Sequence, residues 1–194
     1  MEKYIHLDYA HGYNVAGKQS PDGRLQEWKW AREYGEMLRQ ALIKEGYKVY
    51  VVVPEDREPT LSVRVQRANK FYRENPGQHI FISLHCDAFG ESYNNASGMS
   101  VRVGTMSGEK SKRLATKIVG NGIVAGVMGN RSVPTSLYWQ QDLYVCNKTA
   151  MPAVLIEHGF MTNRSDEERL LSAAGKEKLI EITVNGINKY FDSL

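Results

Sequence analysis

Cysteine is scarce in the 194 residues, with only Cys86 and Cys146 present. Two thiols in a chain of this length make no disulfide framework, so folding must rest on a hydrophobic core. They read as small buried thiols within strands, with a single bridge left open. Long apolar runs are lacking too. Stretches such as VYVVV at 49–53 fall far short of a bilayer span, which excludes membrane insertion. The opening residues MEKYIHLDYAHG lack the charged-then-apolar pattern of a secretion signal. The expectation is a chain made without a signal, or the mature part of an exported one. No run of five like charges occurs, and the net charge is only +3. That mild excess suits an anionic polymer but is too small and too dispersed for nucleic acid. Repeats, low-complexity tracts and Pro/Gly/Ser-rich linkers are also missing, so residues 1–194 read as a single domain.

What is present is an alternation of strand and helix. Strands are expected at YIHLDY (4–9), VYVVVP (49–54), HIFISL (79–84), MSVRV (99–103), LYVC (143–146) and AVLIE (153–157). Helices are expected at about 25–45, 60–74, 109–126, 166–171 and 175–191. The first carries the apolar stripe Ala31, Tyr34, Leu38, Ala41 and Leu42 and stops before Gly46. Thr60 and Ser165 stand where N-caps belong. The fold class is therefore α/β, with a central, mostly parallel sheet of about six strands flanked by about five helices. Two turn-rich segments, 11–25 and 127–142, read as long loops and thus as functional ground.

Ligand crevices of such sheets lie beyond the carboxyl ends of the strands. His11 follows the first strand, His85 ends the third and Glu157 ends the last. Glu27 opens the first helix on its core-facing stripe, where a buried carboxylate needs a partner. Two histidines and a carboxylate are a catalytic zinc set with one position open. A further carboxylate could move the proton of an attacking water. Spacing alone leaves this open, because no compact pattern such as H-E-x-x-H is present. Singly, each histidine reads as hydrogen-bonded structure and Glu27 as a surface carboxylate favoured by the helix dipole. His6 and His79 read as structural, and His158 as a candidate substrate contact. Arg64 and Arg131 are candidates for holding a peptide carboxylate, against solvated surface arginines as the plainer alternative.

Five segments, in order, resemble the zinc-dependent N-acetylmuramoyl-L-alanine amidases of the Amidase_3 family. They are IHLDYAHG (5–12), SPDGRLQEW (20–28), LSVRVQRANKF (61–71), FISLHCDA (81–88) and MPAVLIEHGFMTN (151–163). The resemblance implies Zn²⁺, one per chain, on His11, Glu27 and His85, with Glu157 as catalytic glutamate. It implies hydrolysis of the amide between N-acetylmuramic acid and L-alanine in peptidoglycan, at the periplasmic or outer face of the cell, by a monomer. Both a phage endolysin and a wall-remodelling enzyme fit. Asn163 is a weak substrate-contact candidate. Tyr9 and Ala10 replace the family's Pro-Gly, which implies a slightly different turn before His11. Asp87 replaces a common Asn and could hydrogen-bond a ligand histidine. A different zinc hydrolase, such as a peptidase or deacetylase, and a wall-binding module without catalysis are the competing readings.

Overall fold

The computed structural model describes residues 1–194. Twelve elements follow one another: β1 (Lys3–Tyr9), α1 (Glu27–Lys44), β2 (Lys48–Val51), α2 (Leu61–Glu74), β3 (Gln78–Asp87), β4 (Ser100–Gly104), α3 (Glu109–Val124), β5 (Trp139–Gln141), α4 (Tyr144–Lys148), β6 (Ala153–Phe160), α5 (Arg164–Leu171) and α6 (Ala173–Phe191). The six strands form one sheet in the order β2-β1-β3-β6-β4-β5. All neighbours pair in parallel except β4 and β6, which are antiparallel. The expected mostly parallel α/β sheet is thus present, with one reversed pair. No helix is long and apolar enough to cross a membrane.

Both faces are covered, which explains why the central strands are apolar at nearly every position. The larger core packs Ile5, Leu7, Ile80, Ile82, Leu84, Val154 and Ile156 of the sheet under α1, α3, α5 and α6. A smaller one gathers Phe81, Ala153 and Leu155 with Val65 and Ala68 of α2 and Val145 and Cys146 of α4. Helix α1 buries Ala31, Tyr34, Leu38 and Leu42, and the chain then turns through Gly46 at φ 88. The Thr60 hydroxyl accepts from Val63 N at 3.3 Å and starts α2.

Three expectations are corrected. LYVC is not a strand, because Tyr144–Lys148 is a short helix burying the adjacent residues Val145 and Cys146. A short apolar run fits a buried helical turn as well as a strand, and here both residues join the smaller core from a helix. The sixth strand is Trp139–Gln141, inside the segment read as a loop, where it extends the sheet edge beside β4. The cap of α5 is Asn163 rather than Ser165: its Oδ1 accepts from Asp166 N at 3.1 Å. Cys86 and Cys146 are buried free thiols, the latter in a helix.

Candidate metal centre

His11, Glu27 and His85 meet at the carboxyl edge of the sheet. His11 lies two residues past β1 in the left-handed region, at φ 50. The positive φ of this turn is at His11 and not at Ala10, which is wholly buried. Gly12 follows with no room for a side chain, since a Cβ there would stand 2.0 Å from Glu58 N. Glu27 is the first residue of α1, 2% exposed and turned inward as its stripe requires. Its Oε1 lies 3.0 Å from His85 Nδ1 and accepts from Cys86 N at 3.0 Å, while Oε2 lies 3.3 Å from His11 Nε2.

One donor atom from each residue lies within 4.8 Å of the other two. Ligand atoms about 2.0–2.1 Å from a tetrahedral zinc lie roughly 3.3 Å from one another, so the contacts to Glu27 match such a set in scale and chemistry. Burial pushes the Glu27 carboxyl upward, but the hydrogen bonds and charge of His11 and His85 outweigh it and hold it well below the usual range. Burial opposes protonation of His85, and Glu27 reverses that balance, raising its pKa. Two imidazoles facing one buried carboxylate form a site that calls for a cation.

Glu157 stands beside this group because β3 and β6 pair His85 with Glu157. It is 7% exposed, and burial pushes its pKa up to about 7. Its Oε2 has no partner, and Oε1 lies 3.7 Å from Arg102 Nη1 on the antiparallel strand β4. Asp87 binds two guanidiniums, Arg102 through Nη2 and Arg131 through Nη2 at 2.8 Å. Arg131 lies over the Phe160 ring at 4.4 Å.

The sequence profile of N-acetylmuramoyl-L-alanine amidases matches residues 5–189. The chain belongs to this amidase family. Among curated relatives, YqiI of Bacillus subtilis is 29% identical over 98% of this chain and 85% of its own length. "Probable cell wall amidase LytH" of Staphylococcus epidermidis is 28% identical over 98% of this chain, which spans only 59% of that longer protein. The N-acetylmuramoyl-L-alanine amidase of Clostridium difficile 630 has the same fold, with a TM-score of 0.86 at 24% identity over 99% of this chain and 98% of its own. The catalytic domain of CwlV from Bacillus (Paenibacillus) polymyxa superposes with a TM-score of 0.81 at 20% identity, over 98% of each chain.

Other residues singled out in this amidase take different places. Arg64 is closed to an incoming peptide carboxylate: it is 2% exposed and already bound to Asp8 Oδ1 at 2.6 Å and Glu58 Oε2 at 3.0 Å. Arg131 is engaged with Asp87. Asp87 therefore serves the arginines rather than a ligand histidine, and the outer partner of His85 is Ser83, whose Oγ lies 3.1 Å from Nε2. The Asn163 side chain is committed to structure, with Oδ1 capping α5 and Nδ2 donating to Asn94 O at 3.1 Å. His158 is fully buried against Trp30 and Tyr34, its Nδ1 3.0 Å from His85 O, so it braces the strand and is closed to solvent. His6 and His79 contact each other at 2.8 Å, far from the centre, as expected of structural residues. Asp8, Ser83 and Arg102 went unread. Asp8 and Ser83 had left a signal, as buried polar residues interrupting otherwise apolar central strands.

Proposed function

We propose that this chain is one catalytic domain, working as a monomer, that hydrolyses the amide between N-acetylmuramic acid and L-alanine in peptidoglycan. His11, Glu27 and His85 hold one zinc ion, and Glu157 moves the proton. The convergence of the three donor atoms within 4.8 Å, with Glu157 paired to His85 across the ladder, carries this reading. Zinc at that place supplies Lewis acidity toward the amide carbonyl and toward an attacking water.

The chain's own groups divide the remaining work. Glu27 brings negative charge to the centre and orients both imidazoles. Glu157 accepts the proton of the attacking water and delivers it to the departing nitrogen. Its burial favours this exchange, because taking the carboxyl out of water raises its affinity for the proton it must hold between the two steps. Arg102, 3.7 Å away on the β4 side, limits that rise through its charge. Peptidoglycan lies outside the cytoplasm, so the reaction takes place at the periplasmic or outer face. Both a phage endolysin and a wall-remodelling enzyme would use it.

Digestion of purified wall sacculi tests the proposal. New N-terminal L-alanine should appear, vanish with a chelator and return with zinc. Free sugar amines would instead mark a deacetylase, and chelator-resistant release of alanine would overturn the zinc assignment.

A further inference from the structure

Behind His85 runs a buried hydrogen-bonded line that no step above uses. The β1–β3 register sets Asp8 opposite Ser83. Ser83 precedes His85 by two residues, so all three side chains leave one face of the sheet. Ser83 Oγ donates to Asp8 Oδ2 at 2.6 Å and meets His85 Nε2 at 3.1 Å. Asp8 Oδ1 accepts from Arg64 Nη1, which also donates to Tyr9 O at 2.6 Å, and Arg64 Nη2 reaches Glu58. Asp8, Ser83 and Arg64 are all at most 2% exposed.

Proton counting gives this line a direction. A serine hydroxyl has a single proton. With that proton given to Asp8, Ser83 Oγ can only accept from His85, so Nε2 must carry a hydrogen. The reverse arrangement would set the hydroxyl oxygen against a carboxylate oxygen at 2.6 Å with no proton between them. Nδ1 faces Glu27 Oε1 at 3.0 Å, where a bound cation would replace the proton that this contact otherwise needs and would take the Nδ1 lone pair. Histidines that bind metal commonly donate their second N–H to an outer acceptor, which holds tautomer and ring angle.

We infer that Asp8 and Ser83 are positioning residues that hold His85 in the Nε2–H tautomer and present Nδ1 to the metal. This rests on the zinc reading. Through Arg64 the same line grips the end of β1 and Glu58, against which the Gly12 turn packs, so the supports of both histidines are joined.

The test compares zinc affinity of the full chain, Ser83→Ala and Ser83→Thr by competition with a chromophoric chelator. Long-range proton–nitrogen NMR of the zinc-loaded, histidine-labelled wild type locates the His85 ring proton. Ser83→Ala should bind zinc about 10–100-fold more weakly, and Ser83→Thr, which restores the hydroxyl, should return to within about threefold of wild type. The ring proton should sit on Nε2. Unchanged affinity in Ser83→Ala, or a proton on Nδ1, would overturn the relay and leave the centre standing. A wild-type chain that takes up no zinc would overturn both. The NMR arm needs no variant, so a Ser83→Ala chain that fails to fold still leaves a decisive result.

Discussion

Glu27 Oε1 is shared between His85 Nδ1 and the backbone N–H of Cys86, each at 3.0 Å. The backbone contact survives replacement by an amide, whose oxygen still accepts, whereas the charge facing the two imidazoles does not. Glu27→Gln should therefore fold and lose metal. Outer partners alone change affinity about 10–100-fold, so loss of the proposed direct ligand should exceed about a hundredfold. Metal analysis after gel filtration, with circular dichroism as the control for folding, decides it. Stoichiometric zinc in the variant would remove Glu27 from the ligand set.

In the proposed mechanism Glu157 moves a proton and does not bind metal. Glu157→Gln should keep zinc and lower the rate of alanine release about 10²–10⁴-fold, the usual contribution of a positioned acid–base group. Measuring metal content and turnover on one preparation separates the two roles. Loss of zinc with the rate would make Glu157 a ligand.

The turn after His11 admits no side chain at Gly12, where a Cβ would meet the 57–58 backbone. Gly12→Ala should push that turn outward and destabilise the fold by about 1–3 kcal/mol, as overpacking does. Because His11 is the neighbouring residue, zinc affinity should fall with it. Urea unfolding of metal-free protein and chelator competition read the two effects. A variant matching wild type in both would show the turn to be yielding.

Acid sensitivity should come in part from the remote imidazole pair. Burial, then the charge of His79, lowers the His6 pKa to about 3, and burial lowers that of His79. Both lie below the unfolded value of about 6.5, so the unfolded chain binds more protons over that interval. The His6 contribution is full above about pH 6.5 and declines as pH falls toward about 3, by up to about 1.4 kcal/mol per pH unit, and His79 adds to it in the same direction. Urea midpoints of chelated protein between pH 7 and 4.5 should show this slope, and His6→Asn should flatten it. An equal slope in the variant would assign the effect to other groups.

Much of this molecule was legible in one dimension. Helix α1, its buried stripe and its stop at Gly46 follow from local periodicity and backbone freedom, which act over a few residues. His11, Glu27, His85 and Glu157 stood out because strand ends and a helix start in an α/β pattern share one edge. LYVC misled because four apolar residues fit a strand or a buried helical turn equally well. Only packing beside β4 decided which segment took the sheet edge.

Register is what the chain order could not supply. It pairs Asp8 with Ser83 and His85 with Glu157, and a shift of one position would send each side chain to the opposite face. The partners of Arg64, Asp87 and Arg131 depend in the same way on residues distant in sequence. Local sequence determined which chemistry was available and at which edge. The tertiary structure decided which groups touch, because contacts across strands are set by the assembled sheet and by no single segment.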